Sequence, residues 1–238
     1  MNRILIVFAK KPEPEKVKTR LVPPLTFEQA KELYTCFLKD AMVQYSRIAA
    51  IAGMEIVLMI TPESAVNYFH DFINEIPELQ RSNNNITVTA QSGADLGEKI
   101  FNAFSRVIGN NTKQAIVIGT DHPTLPDEFI IEGFEELEKD KVDCVIGPAE
   151  DGGFYLLGLK TVQRDDFKDI AWSTKSVFEQ TCKNFLASNK TAHILPQWYD
   201  VDDEVSLNKM TDEILRSNKK ESPLYSKIFV SQMKTAEV

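Results

Sequence analysis

Ala115-Ile116-Val117-Ile118-Gly119-Thr120-Asp121-His122-Pro123 joins a run of aliphatic, β-branched residues to one carboxylate and a proline stop. A continuous apolar run of this length reads as a strand covered on both faces, the mark of a parallel sheet between helical layers. Gly119 lets a ligand approach the backbone, and Pro123 prevents the strand from continuing. Asp121 is therefore expected at the carboxyl edge of the sheet. From this stretch alone two roles fit it: a ligand of a metal-phosphate complex, or an acceptor of backbone N–H groups in the turn.

The surrounding sequence extends the pattern. Strand-like runs lie at Ile4 to Phe8, Glu55 to Ile60, Ile86 to Ala90 and Val142 to Gly147. Between them stand helical stripes. Thr26 and Gln29 form a capping box ahead of Ala30, Leu33, Tyr34, Phe37, Ala41, Tyr45 and Ile48. A second helix is expected from Thr61-Pro62, with proline at the first helical position; a third behind Asp95 and Glu98; a fourth over Asp127 to Lys139. This alternation predicts an α/β protein with a mostly parallel sheet covered on both sides. Pro148 to Gly153 is too short for a helical crossover, so Phe154 to Leu159 should join antiparallel or as an insertion. Helices near Thr174 to Leu186 and Asp203 to Leu215 follow, with a short strand at Ala192 to Leu195 between them. One domain over residues 1–216 is expected, with 217–238 a C-terminal arm or tail.

Composition narrows the partners. A chain of 238 residues with 43% hydrophobic content can bury one good core, and a net charge of -8 argues against a nucleic-acid polymer while leaving a single nucleotide open. Cys36, Cys144 and Cys182 are odd in number and far apart, which suggests packed thiols rather than a disulfide framework or a zinc site. Met1-Asn2-Arg3 leads directly into the first strand, and no apolar run is long enough to span a membrane. A cytoplasmic location is the expectation. Nothing in the sequence sets an oligomeric state.

Between the first strand and the first helix, Ala9 to Pro24 is longer than most such connections and carries Lys10, Lys11, Lys16, Lys18 and Arg20 on an otherwise acidic chain. This suits a polyphosphate grip starting at Ala9, Lys10 and Lys11; a solvated basic loop is the alternative. The glycines of a Walker loop are missing.

Five motifs taken in order resemble one family: Lys11-Pro12-Glu13-Pro14 to Lys18-Thr19-Arg20-Leu21, Gly119 to Leu125, Gly147 to Leu159, Trp172-Ser173-Thr174, and Asp200-Val201-Asp202. It is the glycosyltransferase-like DUF2064 family of the nucleotide-diphospho-sugar transferase superfamily. The resemblance covers roughly residues 3 to 215 and is shared, more distantly, with phospholactate guanylyltransferases and molybdenum-cofactor nucleotidyltransferases. It implies a GT-A-like three-layer αβα sandwich binding a nucleoside phosphate with Mg²⁺ or Mn²⁺. By the same resemblance Asp121 and Asp202, or Asp200 in its place, hold the metal, while Lys18 and Arg20 neutralise the phosphates during transfer. Gly93 and Asp95, within Gln91 to Glu98, face the base. The chain departs from the family at Glu15, where relatives carry Gly.

Several of these residues have simpler roles available. Asp202 precedes a helix and could be its N-cap. Gly93 and Asp95 would also make a capped helix start behind a turn. In Glu150-Asp151-Gly152-Gly153 the glycines permit close approach of a ligand, and Asp151 could bind an acceptor hydroxyl or take its proton; a tight turn would explain Asp151 and Gly152 but leave Glu150 and Gly153 unaccounted for. Trp172 could stack on a sugar or simply pack, and Ser173 and Thr174 are candidate N-caps or an anion site. His122 reads as a hydrogen-bond partner near Asp121 rather than a ligand, while His70 and His193 carry no argument.

The expected function is Mg²⁺-dependent transfer of a nucleotidyl or glycosyl group, from a nucleoside triphosphate or nucleotide sugar, to a small-molecule acceptor. Lys18-Thr19-Arg20 favours nucleotidyl transfer, and Gly119 stands where an Asp-X-Asp glycosyltransferase signature would place its first carboxylate. The family's label favours glycosyl transfer. A nucleotide-binding module without turnover is the alternative, motivated by Glu15.

Overall fold

The first strand carries apolar residues on both faces and so takes the middle of the sheet. The computed structural model describes residues 2–81, 86–108, 112–217 and 223–236. Its strands are β1 (Asn2–Lys10), β2 (Met54–Thr61), β3 (Ile86–Ala90), β4 (Thr112–Ile118), β5 (Cys144–Pro148), β6 (Phe154–Leu159) and β7 (Ala192–Ile194), ordered β3-β2-β1-β4-β6-β5-β7. All neighbours are parallel except β6, which lies antiparallel between β4 and β5. The expected antiparallel insertion is thus present, for the reason given by its short connection.

The helices are α1 (Phe27–Ala52), α2 (Val66–Asn74), α3 (Leu96–Val107), α4 (Asp127–Glu138), α5 (Val177–Ala187), α6 (Glu204–Arg216) and α7 (Leu224–Ala236). Alternation along β1 divides the core. Leu5, Val7 and Ala9 face the layer of α1, α2, α4, α6 and α7, whereas Ile4 and Ile6 face α3 and α5. The result is the three-layer αβα sandwich expected from the sequence. Each large apolar side chain buried in these layers, such as Phe37 and Phe104, contributes roughly 1.5–3 kcal/mol. No helix among the described residues is long and apolar enough to cross a membrane.

Strand ends shift by a few residues from the sequence expectation, and three boundaries have a clear local cause. β1 runs to Lys10 rather than Phe8 because Ala9 and Lys10 still pair with Ile60 and Thr61. Pro62 is extended, with ψ 164°, and is followed by a 3-10 turn at Glu63–Ala65 before α2 begins, so it is not a first helical residue. Ser173 takes a left-handed φ of 65°, which interrupts any helix starting there; α5 begins at Val177, and the Thr174 hydroxyl donates to the Ala171 carbonyl instead of capping it.

The capping box ahead of α1 is present, and Gly53 ends the helix in the left-handed region, returning its N–H to Ala49. At the edge strand β7, His193 lies 3.0 Å from Glu132 and 3.5 Å from Glu136 of α4. The C-terminal segment contains α7, docked on α1 by a buried carboxylate. Asp40 accepts from the N–H groups of Tyr225 and Ser226 and from the Ser226 hydroxyl, which caps α7 from outside its own chain segment. Burial pushes the Asp40 carboxyl above its ordinary value, partly offset by these bonds. Asp40→Asn turns an amide N–H toward one of the donors and should cost about 1–3 kcal/mol. Urea unfolding measures that loss, and earlier proteolytic cleavage near α7 would accompany it; an unchanged midpoint places the dock elsewhere.

Candidate functional site

In the sheet order, β1 lies between β2 and β4, so the chain departs from it in opposite directions. That reversal opens a crevice beyond the carboxyl ends of the strands, where open α/β sheets bind ligands. β1 feeds the basic loop into this crevice, and β4 feeds Gly119 to Asp121. Between the loop's end and α1 lies a 3-10 turn, Thr19–Leu21. Two residues of the loop that are not glycine adopt left-handed φ values, Glu15 at 63° and Lys18 at 48°. Glu15 therefore keeps a conformation that glycine adopts without strain.

Lys18 is the centre of the arrangement. Its ammonium lies 2.6 Å from Asp121 Oδ1 and 2.8 Å from Asp202 Oδ1, with the side chain only 4% exposed. The Phe37 ring centroid is 5.4 Å beneath it. Burial by itself would lower the Lys18 pKa, but the charges and hydrogen bonds of Asp121 and Asp202 outweigh it and hold the group above an ordinary lysine. The two carboxylate segments are tied directly, since Val201 N–H donates to the Asp121 carbonyl at 2.8 Å. Asp203, not Asp202, caps α6: its side chain accepts from Ser206 N–H at 2.8 Å. The capping role considered for Asp202 falls to its neighbour, and the Asp202 carboxylate faces Lys18.

α1 supplies a polar floor that its apolar stripe concealed. Tyr34 OH accepts from Lys10 N–H at 3.0 Å and bonds the Thr120 side chain; burial first, then the Asp121 charge, pushes its phenol up to about 12. Three turns on, Tyr45 OH donates to the Gly119 carbonyl at 2.8 Å and meets His122 Nε2 at 3.1 Å. His122, buried as a side chain, turns its Nδ1 to Asp200 at 3.3 Å. Gly119 and His122 are thus held by one helix, and Asp200 through His122. Asp200 belongs to this second chain of contacts, whereas Asp121 and Asp202 converge on the ammonium.

The remaining residues occupy a wider arc. Ala9 lies in β1, its carbonyl accepting from Gln91 Nε2 at 3.3 Å, and Gln91 also bonds the Met59 carbonyl, fastening the ends of β1 and β2. Lys10 Nζ donates to the Lys16 carbonyl, while Lys11 and Lys16 both pair with Glu13, whose carboxyl they lower. Much of the loop's positive charge therefore braces the loop. Arg20 is exposed on the 3-10 turn. Asp95 accepts from Glu98 N–H and Glu98 from Ala94 N–H, closing a cap on α3, with Gly93 at φ 136° against that helix end. Trp172 lies over the same helix end, where a Cβ on Gly97 would come within 2.7 Å of the indole. Gly97 was not singled out in the sequence, and only a Trp contact across the fold explains it.

The turn at Glu150 to Gly153 gives each residue a structural partner. Asp151 Oδ1 accepts from Gly153 N–H at 2.8 Å, and Glu150 pairs with Lys209 at 2.8 Å. Glu150 and Gly153, which a tight turn alone left unaccounted for, thus have partners within the fold. Gly152, at φ 90°, has no room for a side chain, since a Cβ would lie 2.1 Å from the Lys175 carbonyl oxygen. Beside Glu150 an open cleft of about 490 Å³ is lined by Trp198, Tyr199, Lys209 and Arg216.

A divalent cation fits the carboxylate pair. Asp121 Oδ1 is buried, and the partner it faces is itself a cation, the Lys18 ammonium at 2.6 Å. Asp121 and Asp202 offer hard oxygen donors converging on one point, and Mg²⁺ or Mn²⁺ bound with a nucleotide needs only one or two carboxylates beside phosphate and water oxygens.

The sandwich, with its switch point and carboxylate-lined crevice, is the fold of the nucleotide-diphospho-sugar transferases. A protein of Desulfovibrio desulfuricans G20, provisionally described as a nucleotide-diphospho-sugar transferase, is 26% identical, with a TM-score of 0.81 over 99% of this chain and 96% of that one. The chain belongs to the DUF2064 family, described as uncharacterized proteins conserved in bacteria, which it matches over residues 44–174. The fold is shared with the 4-diphosphocytidyl-2C-methyl-D-erythritol synthase of Anaerococcus prevotii DSM 20548, at 10% identity and a TM-score of 0.57, covering 90% of this chain and 99% of that one. It is also shared with a cytidylyltransferase of Leptospira borgpetersenii serovar Hardjo-bovis, at 9% identity and a TM-score of 0.50, covering 100% and 95%. No curated protein matches the sequence significantly. The family segment contains Asp121, Glu150 to Gly153 and Trp172, while Lys18, Arg20 and Asp202 lie outside it.

Glu15→Gly should leave the loop's path unchanged and raise stability by about 0.5–1 kcal/mol, the relief of left-handed strain less the added chain entropy of glycine. Thermal or urea denaturation of the variant checks this; a loss of stability would mean that Glu15 is held by contacts worth more than its strain.

Proposed function

We propose that this protein is a transferase that uses a nucleoside phosphate with Mg²⁺ or Mn²⁺, and that it transfers a nucleotidyl group to a small-molecule acceptor. The observation that carries the proposal is the convergence of Asp121 and Asp202 on one cation position at the switch point of the sheet. Asp121 and Asp202 would hold the metal, which when bound neutralises charge on the phosphate oxygens. Lys18 and Arg20 stand on the same loop to stabilise the phosphate charge that grows during transfer. In the reaction an acceptor oxygen forms a bond to the α-phosphorus, the bond from that phosphorus to the bridging oxygen breaks, and pyrophosphate leaves. Asp151, exposed at its turn, would take the proton of an acceptor hydroxyl, and the aromatic cleft beside Glu150 offers space for the acceptor. Gly93, Asp95 and Trp172, gathered at the start of α3, form the wall proposed for the base.

Glycosyl transfer is the second reading. It is favoured by the likeness to the Desulfovibrio protein, and disfavoured by Gly119, which leaves β4 without a paired carboxylate ahead of Asp121.

The test supplies nucleoside triphosphates, Mg²⁺ or Mn²⁺ and phosphorylated or hydroxylated small acceptors, and follows pyrophosphate release beside nucleoside diphosphate release from nucleotide sugars. Acceptor-dependent pyrophosphate is expected, with Asp121→Asn and Arg20→Ala each slowing it by about 10²-fold or more, the usual cost of losing one electrostatic contact to the transition state. Acceptor-dependent diphosphate without pyrophosphate would transfer the assignment to glycosyl transfer. Tight nucleotide binding with neither product would leave a binding module.

A further inference from the structure

We propose that Lys18 is an exchangeable counter-ion: its ammonium holds the cation position between Asp121 and Asp202 until metal and nucleotide enter together, whereupon it moves onto the phosphates. The inference rests on the metal-nucleotide reading above and adds to it a coupling between the two ligands.

The geometry sets the two cations in competition. Lys18 Nζ lies within direct ion-pair distance of one oxygen from each carboxylate, at 2.6 and 2.8 Å. A divalent ion held by the same two carboxylates would be repelled by the ammonium and compete with it for their charge. The balance then favours one cation at a time. The Lys18 side chain is 4% exposed and its ammonium rests 5.4 Å over the Phe37 ring, so leaving its carboxylates without new partners would strand a desolvated charge. Bare metal therefore meets a competitor already seated. A triphosphate changes the balance, because it offers the displaced ammonium acceptor oxygens while it brings ligands to the metal. The four-carbon stem of lysine allows such a move without displacing the backbone. Lys18 itself marks the end of the loop, in a left-handed conformation just ahead of the 3-10 turn.

Coupling of this kind is reciprocal: metal tightens nucleotide by the same factor by which nucleotide tightens metal. It also gives Lys18→Met opposite effects on the two ligands. Without the ammonium, Mn²⁺ alone finds two unneutralised carboxylates and should bind about tenfold tighter than to the wild type, a size within the usual range of coupling energies. A nucleoside triphosphate offered in the presence of a chelator meets the same two unneutralised carboxylates as like charges and should bind more weakly. Lys18→Arg, which retains the charge, should keep Mn²⁺ affinity near the wild-type value.

The experiment titrates Mn²⁺ into the full chain by electron paramagnetic resonance, for wild type, Lys18→Met and Lys18→Arg, and measures metal-free binding of a non-hydrolysable triphosphate by calorimetry. Circular dichroism establishes that each variant is folded, and Mn²⁺ is expected to raise the melting temperature of Lys18→Met more than that of the wild type. Opposite shifts in the two affinities support the exchange. Equal or weaker Mn²⁺ binding by folded Lys18→Met, with clear binding to the wild type, overturns the exchange and leaves the metal reading standing. Absence of Mn²⁺ binding to all three proteins, with or without nucleotide, overturns the metal reading as well.

Discussion

The parallel ladder that joins β1 to both β2 and β4 determines where every charged group of the site can stand. Eight residues of β1 pair with β2, and the opposite edge pairs with β4 from Arg3↔Gln114 through Val7↔Ile118. Because both ladders end at nearly the same level, the basic loop and Asp121 leave the sheet side by side. The crevice is then a matter of topology, and its charges follow from which residues happen to come next. The hydrophobic burial of β1 on both faces holds this geometry in place, so the site's position is anchored by the core itself.

α1 converts that position into orientation. Helical spacing puts Tyr34, Phe37 and Tyr45 on one buried face, and their outer atoms meet Thr120, the Lys18 ammonium, the Gly119 carbonyl and His122. The rings contribute to the core while the hydroxyls satisfy groups that the end of β4 would otherwise bury without partners. On a neighbouring part of the same helix, Asp40 receives α7. A single 26-residue helix therefore joins core, site and C-terminal helix.

Most of the architecture was legible from periodicity: the strands, the helical layers and the reversed β6 all follow from apolar pattern and connection length. Helix starts were less so, because Pro62 can stay extended and Ser173 can turn left-handed, and neither choice is encoded in residue type alone. In the crevice, the strand-end position of Asp121 could be read directly, but its meeting with Lys18 and Asp202 could not, since Lys18 and Asp202 stand 184 residues apart. Periodicity treats tyrosine as one more apolar residue and so hides the hydroxyl contacts of Tyr34 and Tyr45. In Asp200-Val201-Asp202-Asp203 the division of roles turns on a single residue of helix register, finer than sequence patterns resolve. The partner of Glu150, Lys209, likewise lies on another element.

The reversed strand β6 has a consequence for synthesis. β4 and β5 are separated by β6, so the outer edge of β4 gains its partner only when the chain has been made through Leu159. A ribosome-emerging segment containing β1 to β4 presents Ala115 to Ile118 as an apolar strand with an unpaired backbone edge. Vectorial production thus creates an interval in which the strand that carries the site is also the surface most open to pairing with another nascent chain. Insertion of β6 between β4 and β5 ends that interval and leaves only β7 to add at the outer edge.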